Sequence, residues 1–331
     1  MMIAHDRLAH LDQICPVRQS VVSDGPARGC RAIDVTPLGG LAVRILPDRG
    51  LDVLDARVAG VPLHWVGPPG ECPPLPVREG HRWLESFAGG LVTTCGLAHV
   101  GEPVPGHGLH GDASHLIASE VAVRREVLED GAIAVVVGGL IRDRRFAGHD
   151  LELRRTLSLR TGEARLDLLD RTTNRGRTPV PAPILYHLNF GWPLVDDDTE
   201  VAIERRVGGR VLFGDPAALP GGWQRPGRLV EALVPVTFEH RLDGQGEGRA
   251  RIARPSLGLA VEIGFGLDTL PRLFQWVDTR PGQGVVALEP ANATTEAVET
   301  DPVMAALLPL AAGATRVTRL SIRARSMETL S

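Results

Sequence analysis

The chain has no lysine; all 36 of its Lys and Arg positions are arginine. That absence excludes a Schiff-base lysine, a lysine general base and the lysine of a phosphate-binding loop. Tyrosine occurs once, at Tyr186, and cysteine four times, at Cys15, Cys30, Cys72 and Cys95. The cysteines are too far apart for a C-x-x-C pair. No apolar run is long enough to span a bilayer and no charged-then-apolar leader is present, so the sequence reads as a soluble cytoplasmic protein with reduced thiols. Asn292-Ala293-Thr294 matches a glycosylation sequon, which carries meaning only on export. A formal net charge of -4, with both signs scattered along the chain, offers no basic stripe for nucleic acid and no polybasic patch for an anionic membrane.

What is present is period-two alternation. It recurs in "LAVRIL" (41–46), "EVAVRREV" (120–127), "DLELRRTLSLR" (150–160), "ARLDLLDRT" (164–172), "EVAIERRV" (200–207), "LAVEIGF" (259–265) and "RVTRLSIRA" (316–324). Arg and Glu on alternate positions predict strands with one wet face. Turn signals at Pro47-Asp48-Arg49-Gly50, Glu129-Asp130-Gly131 and Thr161-Gly162-Glu163 separate them. Helical pattern is confined to residues 5–14, 82–88 and 302–308. The fold class is therefore all-β, a large antiparallel sandwich, and the missing βαβ rhythm excludes a doubly wound nucleotide fold. The glycine-rich "LDGQGEG" (242–248) joins two strands and reads as a hairpin loop, and the Pro-rich 66–80 stretch as a long surface loop. Alternation of the same character on both sides of that loop predicts a single domain over 1–331.

Polar chemistry interrupts the sheet in three places. "GHGLHGDASH" (106–115) holds His107, His110 and His115 among glycines. It is either a turn presenting His110 to a ligand or a plain polar loop. A metal there would need further ligands that the loop does not supply, so none is expected. In "ILYHLNFGWPL" (184–194), strand geometry sets His187 and Asn189 on one side and Tyr186 on the other. The pair either faces a groove walled by Trp192 or is a core His and Asn satisfying each other. In "FQWVDTRPGQGVVALEPANA" (274–293), an apolar run delivers Glu289, either structurally paired or poised as a base with a raised pKa, with Gln275 and Trp276 beside the same groove.

These motifs, in this order, resemble the galactose mutarotase-like superfamily, specifically its aldose 1-epimerase-related branch of bacterial proteins. The residues that carry the likeness are "DRGLDVLDARVAGVPLHW" (48–65), "FAGGLVTTCGL" (87–97), "LHGD" (109–112), "YHLNFGWPL" (186–194) and "LEPANA" (288–293). The resemblance implies a supersandwich of long antiparallel strands with a sugar-binding cleft across one sheet. It implies His110 as a sugar contact, His187 as the acid and Glu289 as the base. It sets Glu239, in "TFEHRL" (237–242), loosely where the family has an Asp that holds sugar hydroxyls. The Asn-Arg-Ile-like element of true mutarotases is replaced by "REGHRWLESFAGG" (78–90), leaving Arg82 and Arg49 as competing substrate contacts.

An imidazole and a carboxylate suit anomer exchange, in which one group takes the C1 hydroxyl proton while another protonates the ring oxygen. Trp192 is expected to stack on the sugar, and no cofactor is required. The expected partner is a small-molecule carbohydrate. The alternatives are a carbohydrate-binding protein without turnover, and an isomerase, lyase or hydrolase acting on a sugar acid clamped by Arg82 or Arg49.

Overall fold

The computed structural model describes residues 5–293 and 301–327; Thr294 of the sequon lies outside them. Among the described residues every strand pair is antiparallel. An eight-stranded sheet runs in the spatial order Glu200–Ile203, Glu247–Arg254, Leu259–Gly266, Thr315–Ser326, Glu163–Asn174, Asp150–Arg160, Ile133–Arg144, Ser119–Val127. A six-stranded sheet runs Arg206–Phe213, Val236–Leu242, Arg272–Asp278, Val285–Ala291, Ile184–Phe190, Thr93–Gly96. Val17–Val21, Arg31–Val35, Leu41–Leu46, Asp52–Val58 and Val61–Pro62 form a five-stranded sheet. Helix is short, as the pattern predicts: 3-10 turns at Leu11–Gln13 and Arg82–Ser86, and one α-helix among the described residues, Pro302–Leu307.

Alternation places one face of each long strand in a common apolar core, which takes Val135 and Leu157 from the eight-stranded sheet, Ile45 from the five-stranded one and Leu188 and Val286 from the six-stranded one. Two local readings change in three dimensions. "EVAIERRV" is not one strand, because Arg205 adopts a left-handed φ of 56° and the chain leaves the eight-stranded sheet at Ile203 to enter the six-stranded one at Arg206. "LDGQGEG" is not a hairpin loop, since it passes between the same two sheets. Alternation reports which side of a strand is wet and not which sheet the strand joins.

The single tyrosine sits where the three sheets meet. Arg155 lies on the inward face of its strand, fully buried, and binds Asp170 through Nε at 3.0 Å and Nη2 at 2.7 Å, and Asp52 through Nη1 at 3.0 Å. Tyr186 donates its hydroxyl to Asp170 at 2.8 Å and meets Thr318 at 2.7 Å, while Thr94 donates to Asp52 at 2.6 Å. Each buried charge is answered by opposite charge and hydrogen bonds, and removing one charged partner of such a set costs about 3–5 kcal/mol. This cluster anchors Ile184–Phe190 from behind, and the other face of that strand, itself buried, is turned away from it.

Candidate active site

That other face is the floor of a cleft of about 950 Å³. Two-residue periodicity puts Leu185 and His187 there from Ile184–Phe190, Glu289 from Val285–Ala291, Phe274, Trp276 and Asp278 from Arg272–Asp278, and Thr237 from Val236–Leu242. Trp83 and Phe87 rise at one side from the 3-10 turn Arg82–Ser86 and its exit. Leu109 and His110 come from the glycine-rich loop, and Arg280 from the turn after Asp278.

The register that pairs Leu185 with Ala291 and Leu188 with Leu288 sets His187 directly across from Glu289. Their side chains approach to 3.3 Å between Nε2 and Oε1, without the alignment of a hydrogen bond, so Oε1 of Glu289 has no hydrogen-bond partner within the protein. Nδ1 of His187 and Nδ1 of His110 are also buried without one. Aromatic rings enclose them: Phe87 lies 5.2 Å and Trp276 5.8 Å from the His187 ring, and Trp83 lies 4.9 Å edge-on from His110. His110 is held in the left-handed region at a φ of 58°, a strained backbone of the kind found where a side chain must be aimed. Its amide and carbonyl are tied to Gly101 and Gly96.

Burial in this apolar setting penalises charge on every member. It pushes Glu289 up from 4.5 to about 8 and His110 down from 6.5 to about 4, with a smaller push from His99. His187 falls from 6.5 to about 3, through burial first and His110 second, with Asn189 offsetting part of the drop. Between those limits the His187–Glu289 pair holds a single titratable proton, which belongs to the pair. Burial in the cleft thus favours a carboxylic acid beside a neutral imidazole over a resting carboxylate.

His110, His187, Glu289 and Trp276 thus converge, while the other expected contacts are distributed differently. Asn189 shares the His187 face but is fully buried beneath it, its Nδ2 donating to the carbonyls of Gly90 and His187 at 3.0 Å each. Glu239 is on the cleft side of its strand yet covered: Arg210 Nε reaches it at 2.7 Å and Arg272 Nε at 3.3 Å. Gln275 points the opposite way, into the core, meeting His240 at 3.0 Å and donating to the carbonyl of Trp223 at 2.8 Å. Its neighbours Leu273 and Val277 are core residues, which is why its parity places it there. Arg49 is buried and bonded to the carbonyl of Ser86 at 3.0 Å, and Arg82 is exposed beside Glu85 at 3.5 Å; neither lines the cleft. Trp192 borders a separate cavity. His115 turns away to Ser86 at 2.7 Å and His107 to Arg145 at 3.4 Å, and among the described residues no three His, Cys, Asp or Glu side chains converge as a metal site.

Trp83, Asp278 and Arg280 line the cleft without having been singled out from sequence. Asp278 was legible, since it lies two residues beyond Trp276 on the same strand face. Arg280 follows it into the turn, held by Asp278 through Nε at 2.8 Å and Nη2 at 2.6 Å. The signal for Trp83 was a large apolar residue inside the charged run 78–86.

Four free cysteines and the lack of any described helix long and apolar enough to cross a membrane complete the inventory. No curated protein matches the chain significantly. Among solved structures it superposes on a candidate aldose 1-epimerase from Klebsiella pneumoniae subsp. pneumoniae with a TM-score of 0.85, at 24% identity, covering 95% of this chain and 84% of that one. A galactose mutarotase-like protein from Clostridium acetobutylicum gives a TM-score of 0.62 at 15% identity over 95% and 100% of the two chains. A candidate aldose 1-epimerase from Escherichia coli K12 gives 0.56 at 16% over 94% and 99%. The fold is the galactose mutarotase-like antiparallel sandwich. Residues 27–324 match the family described as domain of unknown function DUF4432, and the chain belongs to that family.

Proposed function

We propose that the protein is an enzyme of the aldose 1-epimerase type, interconverting the anomers of a free sugar with His187 and Glu289 as its acid–base pair. One observation carries this reading. Three buried polar atoms without protein partners, on His110, His187 and Glu289, meet at one aromatic-walled cleft. Unpaired buried polar atoms are costly in a finished core and ordinary where a ligand completes them.

In the proposed cycle, sugar hydroxyls solvate the Glu289 carboxylate and the pair's proton passes across the 3.3 Å contact to His187. Glu289 takes the proton from the C1 hydroxyl as the C1–oxygen bond becomes a carbonyl. The bond from C1 to the ring oxygen breaks, its electron pair stays on that oxygen, and His187 protonates it. Rotation about C1–C2 turns the other carbonyl face inward, and closure reverses both transfers. Each group contributes about 10²- to 10⁴-fold. Phe87 and Trp276 exclude water and offer apolar surface to the ring, and His110 hydrogen-bonds a hydroxyl through Nδ1.

A clamp for a sugar acid finds no support at Arg49 or Arg82, which lie off the cleft. Arg280 and Arg210, which do line it, are engaged by Asp278 and Glu239. The test is magnetisation-transfer NMR of anomer exchange with free neutral aldoses and uronates. Exchange above the spontaneous rate, lost by at least about a hundredfold in Glu289→Gln while binding persists, supports the reading. Binding without accelerated exchange makes the protein a sugar binder instead.

A further inference from the structure

Trp192 borders a second concavity, of about 530 Å³, within the size range of small-molecule sites. Trp192 is 72% exposed, and the backbone around it is anchored: Phe190, two residues before it, is fully buried, and the Val195 amide donates to the Gly191 carbonyl at 2.9 Å. Trp65 partitions this cavity from the cleft. On the cleft side its ring lies 6.3 Å from Trp276, edge-on, and 5.7 Å from Phe87. Its Nε1 donates at 2.7 Å to the carbonyl of Gln283, which lines the second cavity.

Two charged groups that line that cavity, Arg57 and Asp196, are each paired with an opposite charge. The Arg57 guanidinium is gripped by Asp55 through Nε at 3.0 Å and 3.1 Å and Nη2 at 3.0 Å. Asp196 meets Arg254 at 2.7 Å. Neutralised pairs gain little from a charged ligand but retain donors and acceptors for hydroxyls. An exposed indole on an anchored backbone supplies flat apolar surface and C–H contacts. A pyranose ring combines the two matching features, an apolar face of C–H groups and an edge of hydroxyls.

We propose that this second cavity binds a neutral pyranose stacked on Trp192, with hydroxyls directed to Arg57 and Asp196. The site contains neither His187 nor Glu289, so it stands or falls independently of the chemistry assigned to the cleft.

The experiment uses the full chain labelled with 5-fluorotryptophan, whose Trp192 resonance is assigned by Trp192→Phe. The probes are methyl α- and β-D-glucopyranoside, methyl β-D-galactopyranoside, cellobiose and, as a charged control, D-glucuronate; the methyl glycosides have no free anomeric hydroxyl and cannot report turnover. At least one neutral probe should shift the Trp192 resonance saturably, with Kd in the millimolar range, and do so equally in His187→Ala. In saturation-transfer spectra Trp192→Ala should weaken that probe's binding at least about tenfold, with the other tryptophan resonances of the labelled variant unmoved as the check on folding. A Trp192 signal unmoved by every neutral probe up to about 100 mM, beyond any useful affinity, overturns the proposal. So does a signal that moves only with glucuronate, or only with protein concentration, which would make the occupant an anion or a second copy of the chain.

Discussion

Replacing Glu289 by Gln separates the cost of burying a carboxyl from everything else it does. Burial lifts its pKa from 4.5 to about 8, so the folded chain holds this proton more tightly than the unfolded chain. The resulting contribution to stability is complete below about pH 4.5 and is lost as pH rises through about 8. Integrating between those values, the ionisable side chain costs the fold roughly 2 kcal/mol at about pH 6 and on the order of 5 kcal/mol at about pH 9. Gln keeps the shape and never ionises. The wild type should therefore lose about 2–3 kcal/mol relative to Glu289→Gln between those two pH values. Urea unfolding of both proteins across the range, with stabilities taken from midpoints and slopes, measures the difference. Two curves that stay parallel from about pH 6 to about pH 9 would show that Glu289 titrates normally, and the one-proton pair would have to be abandoned.

The remaining expectations follow from the same geometry. Turnover requires one proton on the pair, so the rate should be level through mildly acid and neutral pH and fall as pH rises past about 8, when Glu289 empties; a fall near pH 4–5 would mean a normal carboxylate. His187→Ala should lower kcat at least about a hundredfold with an unchanged circular dichroism spectrum. Tyr186→Phe, which removes the hydroxyl held by Asp170 and Thr318, should cost about 1–3 kcal/mol in urea unfolding without changing the fold. Arg82→Ala, at an exposed side chain paired only with Glu85 among its described ion pairs, should leave anomer exchange within about twofold of wild type, because surface pairs carry little energy.

Which of these features the sequence announces depends on whether they are local. Leu41–Leu46, Asp150–Arg160, Leu259–Gly266 and Thr315–Ser326 alternate because one face of each is wet, and they are strands where expected. His187 opposite Glu289 is a pairing across about a hundred positions of chain; only the family resemblance connected them. Where both faces of a strand are buried, alternation still groups residues by face, but hydropathy no longer says which face meets the cleft. In Arg272–Asp278 nearly every position is buried, so nothing local distinguishes Gln275, facing the core, from Trp276, facing the cleft. Trp192 illustrates a different failure: it follows the strand end, beyond Phe190, where two-residue parity no longer applies. Asp278, one alternation beyond Trp276, was within reach of the same rule that placed His187.

The most direct test of the central assignment measures binding and anomer exchange together on one sugar. From a panel of free aldoses and uronates, one that gives saturation transfer with wild type and weakened transfer with His187→Ala occupies the cleft. With that sugar, the account predicts α/β exchange well above the spontaneous rate in wild type and a loss of at least about a hundredfold in Glu289→Gln at similar affinity. A sugar that occupies the cleft yet exchanges no faster with wild type than in buffer alone would contradict it.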